Sequence, residues 1–352
     1  MSLPTLRRLV GTCAVAAGAL ATTLAPTAAG AVGAPAGGYS DLVIFGDSLS
    51  DTGNLSIATG GARPGNSQPY FDGRYSNGLI WTDLLASGLG QAGDAAPFLA
   101  GGNNYAFAGA RTNNATFGTT ADSVPGLLYQ TQTYWGGTHA GADSNALYVL
   151  VGGGNDLRDG RSMAPGNSLL ETSFRQLSAD AAVANLKSSL GLLAARGAEH
   201  VLISNMPDLG NTPEAAFLGV QAASSDITDR FNAQMPSLMS YGASLGLTMS
   251  FLDMAGVAQA VREDTLFNNS LTYGVLDIWA PCQGFAGSAG TPCSLAAFSD
   301  GLHPSARVHE LFAGAAFNAL GVTPVPEPET VVLMLAGLAM LGRLVRRRGQ
   351  AA

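Results

Sequence analysis

The sequence predicts an α/β fold, a three-layer α/β/α sandwich around a mostly parallel five-stranded sheet. Two observations predict it. Short apolar runs recur without the polar alternation of a half-exposed strand, and helix-length segments separate several of them. A third observation is positional. Polar, glycine-containing motifs follow three of the runs, at the carboxyl ends of strands where ligands gather in such sheets.

The first strand is expected at 42–45, where Leu-Val-Ile-Phe runs straight into Gly46-Asp47-Ser48-Leu49-Ser50. A helix is expected at 79–89, and a second strand at 105–107 before Gly109. The third strand, 146–151, precedes Gly153-Gly154-Asn155-Asp156. The clearest helix is 168–196. There Leu169, Phe174, Leu177, Ala181, Val183, Leu186, Leu190 and Leu193 favour helical spacing, and Gly197 marks a stop. Strands at 200–204 and 248–252 flank a helix at 224–241, and a last helix is expected at 304–319. The Gly/Asn/Thr-rich connections 57–70 and 111–126 read as loops covering a site. No internal repeat is present.

At 352 residues, 47% hydrophobic and 12% charged, the chain is long enough for two domains, but its ends reduce that count. Residues 1–31 read as a secretory signal: Arg7 and Arg8 start it, 9–24 is apolar, and Ala29-Gly30-Ala31 suits cleavage. An uncleaved anchor is the alternative, although Gly and Thr interrupt the apolar run. Near the other end, Val325-Pro326-Glu327-Pro328-Glu329 precedes an apolar run at 331–341 and the basic residues Arg343, Arg346, Arg347 and Arg348. That run is short for a stable span, and the arginines suit a cytoplasmic side; an ordinary tail anchor is the other reading. Six of the 17 Lys and Arg lie in these end segments, against two of the 25 Asp and Glu. The body between them carries −12, which argues against nucleic acid or anionic lipid surfaces as electrostatic partners.

Cys13 leaves with the signal. Cys282 and Cys293 flank a Gly-rich stretch, and an exported compartment permits a disulfide between them. Two free buried thiols are the alternative; a zinc site lacks a paired His.

The chemistry stands at the two ends of this body. Ser48 lies on the turn after the first strand, and Asp300-Gly301-Leu302-His303-Pro304 offers an imidazole and a carboxylate three residues apart. A serine hydroxyl needs a base to attack at neutral pH, and that base needs a group to orient it. His139, His200 and His309 have no aspartate at that spacing. Asp300 could equally act as a helix cap before Pro304. The Ser48 N–H is one donor for an oxyanion. Asp47, with Asp51, Asn54 and Asp156, is expected to fix turns. Gly242-Ala243-Ser244-Leu245-Gly246 matches a nucleophile elbow, but Ser244 ends a helix-like segment where an elbow needs a preceding strand.

Five ordered blocks extend this pattern: the Ser48 block, Gly73-Arg74-Tyr75-Ser76-Asn77-Gly78, Asn104-Tyr105-Ala106-Phe107-Ala108-Gly109-Ala110, Gly153-Gly154-Asn155-Asp156, and Asn205-Met206-Pro207-Asp208-Leu209-Gly210. With the terminal Asp-x-x-His they resemble the SGNH, or GDSL, hydrolases, a family of serine esterases and lipases, over roughly residues 41–322. The resemblance is nearest to the branch shared by plant GDSL esterases and bacterial haemolysin-like lipases. It implies a flavodoxin-like SGNH domain at 39–322, an oxyanion hole of the Ser48 N–H, the Gly109 N–H and the Asn155 amide, and no cofactor or metal. The family's second block often reads Gly-Gly where this chain has Ala108-Gly109. Arg74 and Asn77 fall in a block for which a structural role is expected. Residues 325–348 resemble a PEP-CTERM sorting tail, which implies a sorting protease as partner and transient inner-membrane association. The expected function is an exported ester hydrolase acting on a lipid, a small ester or an acetylated glycan. Acyl transfer, polysaccharide O-deacetylation, or an inactive surface-binding protein on the same scaffold are the alternatives.

Overall fold

The strand order is β1 (Leu42–Gly46), β2 (Leu147–Val151), β3 (His200–Ser204) and β4 (Thr248–Leu252), all parallel, in a four-stranded sheet. This computed structural model describes residues 34–35, 38–65, 70–118, 123–282 and 290–324; the expected signal and the sorting segment at 325–348 lie outside the described residues. Every residue of β1 and β2 is buried, as apolar runs without alternation require. The helices fall into two groups that pack among themselves: Trp81–Gly88, Met254–Phe267 and Ala306–Leu320, against Gly154–Met163, Leu169–Ala195, Gln221–Asn232 and Met235–Ser244. Together they bury the sheet, giving the expected layered α/β architecture. Among the described residues no helix is long and apolar enough to cross a membrane.

The sheet is smaller than expected, because 105–107 does not continue it as a strand. Tyr105 N–H and Phe107 N–H do bond the carbonyls of Ile44 and Gly46 on the edge of β1, at 2.7 and 3.1 Å. Side chains then intervene. The Asn104 carboxamide oxygen accepts from its own neighbour Ala106 N, and Asn54 Nδ2 takes the carbonyls of Asn104 and Ala106. Local side-chain bonding of this kind competes with a ladder and bends the backbone out of register. A second, two-stranded parallel sheet was not foreseen: β5 (Asp277–Pro281) and β6 (Ala296–Phe298), either side of the Gly-rich stretch.

The long helix is Leu169–Ala195, opened by a capping box in which Ser168 and Glu171 satisfy each other's backbone N–H groups. Its apolar face differs from the expectation in the first half: Leu169 and Leu177 are exposed, whereas Arg175, Ala179 and Ala182 are buried. The helix expected at 224–241 is two, Gln221–Asn232 and Met235–Ser244, because Pro236 in the first turn of the second helix has no N–H to continue the first.

Candidate active site

Ser48 sits just past β1 on a turn that only a glycine at position 46 permits. A Cβ there would lie 2.8 Å from the Val151 carbonyl oxygen and 2.9 Å from Ser50 Cβ. The Gln130 side chain clamps the same peptide from both sides: its Oε1 accepts Gly46 N–H and its Nε2 donates to Gly46 O, each at 2.9 Å. Asp47 closes the turn by accepting from Leu49 N, and its main-chain carbonyl accepts from Ser50 N and Asp51 N. Asp51 accepts from Gly53, Asn54, Leu55 and Ala108 N–H, which ties the serine turn to the Ala108-Gly109 stretch. Burial raises the Asp47 and Asp51 carboxyls to about 6, against the pull of these N–H groups. Both act as turn anchors, as expected.

Folding brings His303 across to this turn. His303 Nε2 lies 2.8 Å from Ser48 Oγ, and Nδ1 lies 2.7 Å from Asp300 Oδ2. An ionised carboxylate only accepts, so Nδ1 carries the proton and Nε2 faces the serine as an acceptor. Burial alone would raise the Asp300 pKa. The His303 ring, with the Leu302 and His303 N–H groups at 2.7 Å on Oδ1, outweighs burial and holds the carboxyl well below its usual range. Asn77, Ser76 and Ser299 brace this loop. Ser299 Oγ donates to Asn77 Oδ1, which also accepts Ala306 N–H, and Ser76 Oγ donates to Pro304 O. Asn77 is therefore structural, and Arg74 likewise, in a bidentate pair with Asp83 at 2.8 Å.

The oxyanion candidates converge in part. Asn155 lies in the first turn of the Gly154–Met163 helix and shares a cavity of about 330 Å³ with Ser48 and His303. Its Nδ2 donates to Ala110 O at 3.0 Å, and Arg158 approaches its Oδ1 at 3.4 Å. Gly109 has φ +86°, a conformation that favours glycine, and a Cβ there would meet only Val124 Cγ2, at an ordinary contact distance of 3.8 Å. It is not among the residues that line the cavity. Among the described residues neither Ser48 N nor Gly109 N donates a hydrogen bond. Asp156 accepts from Thr112 N and Oγ1, and burial raises it to about 6.

The remaining candidates lie elsewhere. His309 is fully enclosed, its Nδ1 accepting Trp81 N–H at 3.3 Å, and burial pushes its pKa down to about 3. His139 stacks on Trp135, and His200 belongs to β3. Ser244 ends a helix and donates to Tyr241 O, so the elbow-like motif lacks the strand that must precede it. Cys282 and Cys293 form a disulfide, with Cα atoms 4.7 Å apart. Sequence reasoning missed Gln130, Arg158, Tyr70 and Tyr75. The last two stand over the His303 loop, Tyr70 Oη donating to Asp300 Oδ2 at 2.9 Å.

Residues 42–316 match the family described as GDSL-like Lipase/Acylhydrolase. The chain belongs to that family. As a GDSL-like lipase/acylhydrolase it is 30% identical over 362 residues to esterase EstA of Pseudomonas aeruginosa, covering 92% of this chain and 52% of that esterase. The chain thus spans about half the length of the curated relatives it matches in this way. It is also 30% identical over 269 residues to a phosphatidylcholine-sterol acyltransferase of Aeromonas hydrophila, covering 74% of this chain and 73% of that enzyme. Among solved structures it is similar to Est24, a carbohydrate acetylesterase from Sinorhizobium meliloti. Identity there is 14% and the TM-score 0.42, over 80% of this chain and 98% of the other. Residues 324–348 match the PEP-CTERM protein-sorting motif, which associates this GDSL-like protein with export and membrane-linked sorting.

Proposed function

We propose that this protein is an exported serine esterase or lipase that cleaves carboxylic esters through an acyl-Ser48 intermediate. One observation carries the reading: an unbroken hydrogen-bonded series, Ser48 Oγ to His303 Nε2 at 2.8 Å and His303 Nδ1 to Asp300 Oδ2 at 2.7 Å, opening on the cavity. Ser48 Oγ attacks the ester carbonyl as its proton passes to His303 Nε2. Asp300 stabilises the imidazolium that results. The carbonyl oxygen becomes an anion, received by Ser48 N–H, Gly109 N–H and the Asn155 amide, which turns from Ala110 O to the new acceptor. His303 returns the proton to the departing alkoxide, so the alcohol leaves and the acyl group stays on Ser48. Water repeats the sequence, releasing the acid and restoring the serine.

The acyl half of the substrate enters among Met206, Val261, Ile278, Phe298 and Phe312, which wall the cavity beyond Ser48 with apolar surface. That lining favours an acyl chain over an acetyl group alone. The body's −12 charge disfavours an anionic lipid surface as its source. The domain at 39–322 is the catalytic part. Residues 1–31 direct export, and the segment at 325–348 holds the chain briefly at the inner membrane until a sorting protease releases it, so the enzyme works in the periplasm, at the cell surface or outside the cell.

An organophosphonate probe tests the assignment. Labelling of Ser48 in the intact protein, lost in Ser48→Ala, is the expected result; labelling at Ser244 overturns it. Acyl transfer to an alcohol in place of water is a second reading, favoured by the similarity to an acyltransferase. Product analysis with p-nitrophenyl esters and a competing sterol or alcohol separates the two. Turnover no greater than that of Ser48→Ala at every acyl length would leave a binding protein.

A further inference from the structure

Asp300 carries more donors than the catalytic series requires. Its Oδ1 takes the Leu302 and His303 N–H groups, and its Oδ2 takes two side chains at once: His303 Nδ1 at 2.7 Å and Tyr70 Oη at 2.9 Å. The Tyr70 ring stands edge-on to Tyr75, with centroids 5.3 Å apart, and Tyr75 in turn lies 4.8 Å from the His303 ring. Tyr75 turns its own hydroxyl to Arg63. The hydroxyl of Tyr70 thus reaches the oxygen that orients the imidazole, whereas that of Tyr75 does not.

We propose that Tyr70 is a positioning residue for the reaction: by sharing Asp300 Oδ2 with His303, it fixes the carboxylate and draws off part of the negative charge that would otherwise stabilise protonated His303. This rests on the catalytic reading given above. An ionised acceptor divides its charge among its donors, so each added donor weakens the bond to the others. Protonated His303 is therefore less stabilised than it would be beside an unshared carboxylate. Burial, reinforced by Asp300, raises the Tyr70 pKa, which keeps the hydroxyl protonated and donating. The other titratable groups facing His303 are Asp47 on the serine turn, Tyr75 with Arg63 behind it, and His309 in the following helix. Removal of the Tyr70 hydroxyl leaves all of them in place.

The test is Tyr70→Phe, which keeps the ring. The acid limb of the kcat/KM profile for p-nitrophenyl butyrate is expected to move up by about half a pH unit, roughly a threefold loss on the limb with little change on the plateau. A second readout needs no turnover. In the Ser48→Ala background, the low-field proton resonance of His303 Nδ1–H is expected to move downfield when Tyr70→Phe is added, because the ring no longer shares its acceptor. Tyr75→Phe is the control and is expected to move neither. An unmoved limb and resonance in Tyr70→Phe, or equal movement in Tyr75→Phe, overturns the proposal. A wild-type protein without esterase activity would defeat the catalytic reading instead, while the resonance still decides the part played by Tyr70.

Discussion

Each residue of the proposed centre has a measurable share in it. Removing one oxyanion donor in other enzymes costs about 3 kcal/mol, or roughly a hundredfold to a thousandfold in kcat. Asn155→Ala is therefore expected to lower kcat by that factor with KM little changed; steady-state kinetics check it, and a selective rise in KM would assign Asn155 to ground-state binding. His303 must be neutral to accept the serine proton, so activity is expected to decline in mildly acidic solution. A flat pH-rate profile there would remove histidine as the base. Ser48, Asp300 and His303 were legible in the sequence because strand, turn and Asp-x-x-His spacing each leave a local mark. Tyr70, Gln130 and Arg158 were not. Their partners Asp300, Gly46 and Glu214 lie 230, 84 and 56 positions away, and nothing adjacent to them in the chain announces the contact.

At the scale of elements, long buried strands were legible and interrupted ones were not. Residues 42–45, 146–151, 200–204 and 248–252 all became strands within a residue or so at their ends, because apolar runs of that length have few other uses. The stretch at 105–107 fails for a reason written in Asn54 and Asn104, polar side chains that bond the backbone a ladder would need. β5 and β6 escaped notice because their pairing is short and irregular. The Cys282–Cys293 bridge spans 11 residues between these two strands, and β6 leads directly to Asp300. Such a closure stabilises by about 3 kcal/mol, largely by restricting the unfolded chain. Replacing both cysteines with serine is expected to lower stability by that amount in urea unfolding and to reduce activity by loosening the approach to His303. Full stability in the double variant would show that the bridge closes no loop that matters.

At the scale of the whole molecule, buried carboxyls make stability and activity diverge with pH. Asp47, Asp51 and Asp156 hold their protons up to about 6 in the folded chain, whereas unfolded carboxyls release them near ~4. Folding therefore favours proton uptake by all three between these values, and their contribution to stability grows as pH falls. His309 works against them, since burial keeps it neutral to about 3 while the unfolded imidazole protonates at ~6.5. Three groups outweigh one, so conformational stability is expected to rise from pH 6.5 to 4.5, and Asp156→Asn to diminish the rise. Below that range Asp300 and Glu214, both lowered on folding, lose their stabilisation as they protonate. Urea unfolding at the two pH values measures this, and a fall in stability between them contradicts it. The separation of Ser48 from His303 by 255 positions has a further consequence for biogenesis. On the proposed mechanism, a nascent or clipped polypeptide ending before residue 303 has no base for its serine, so the hydroxyl stays unactivated until almost the entire body has been synthesised.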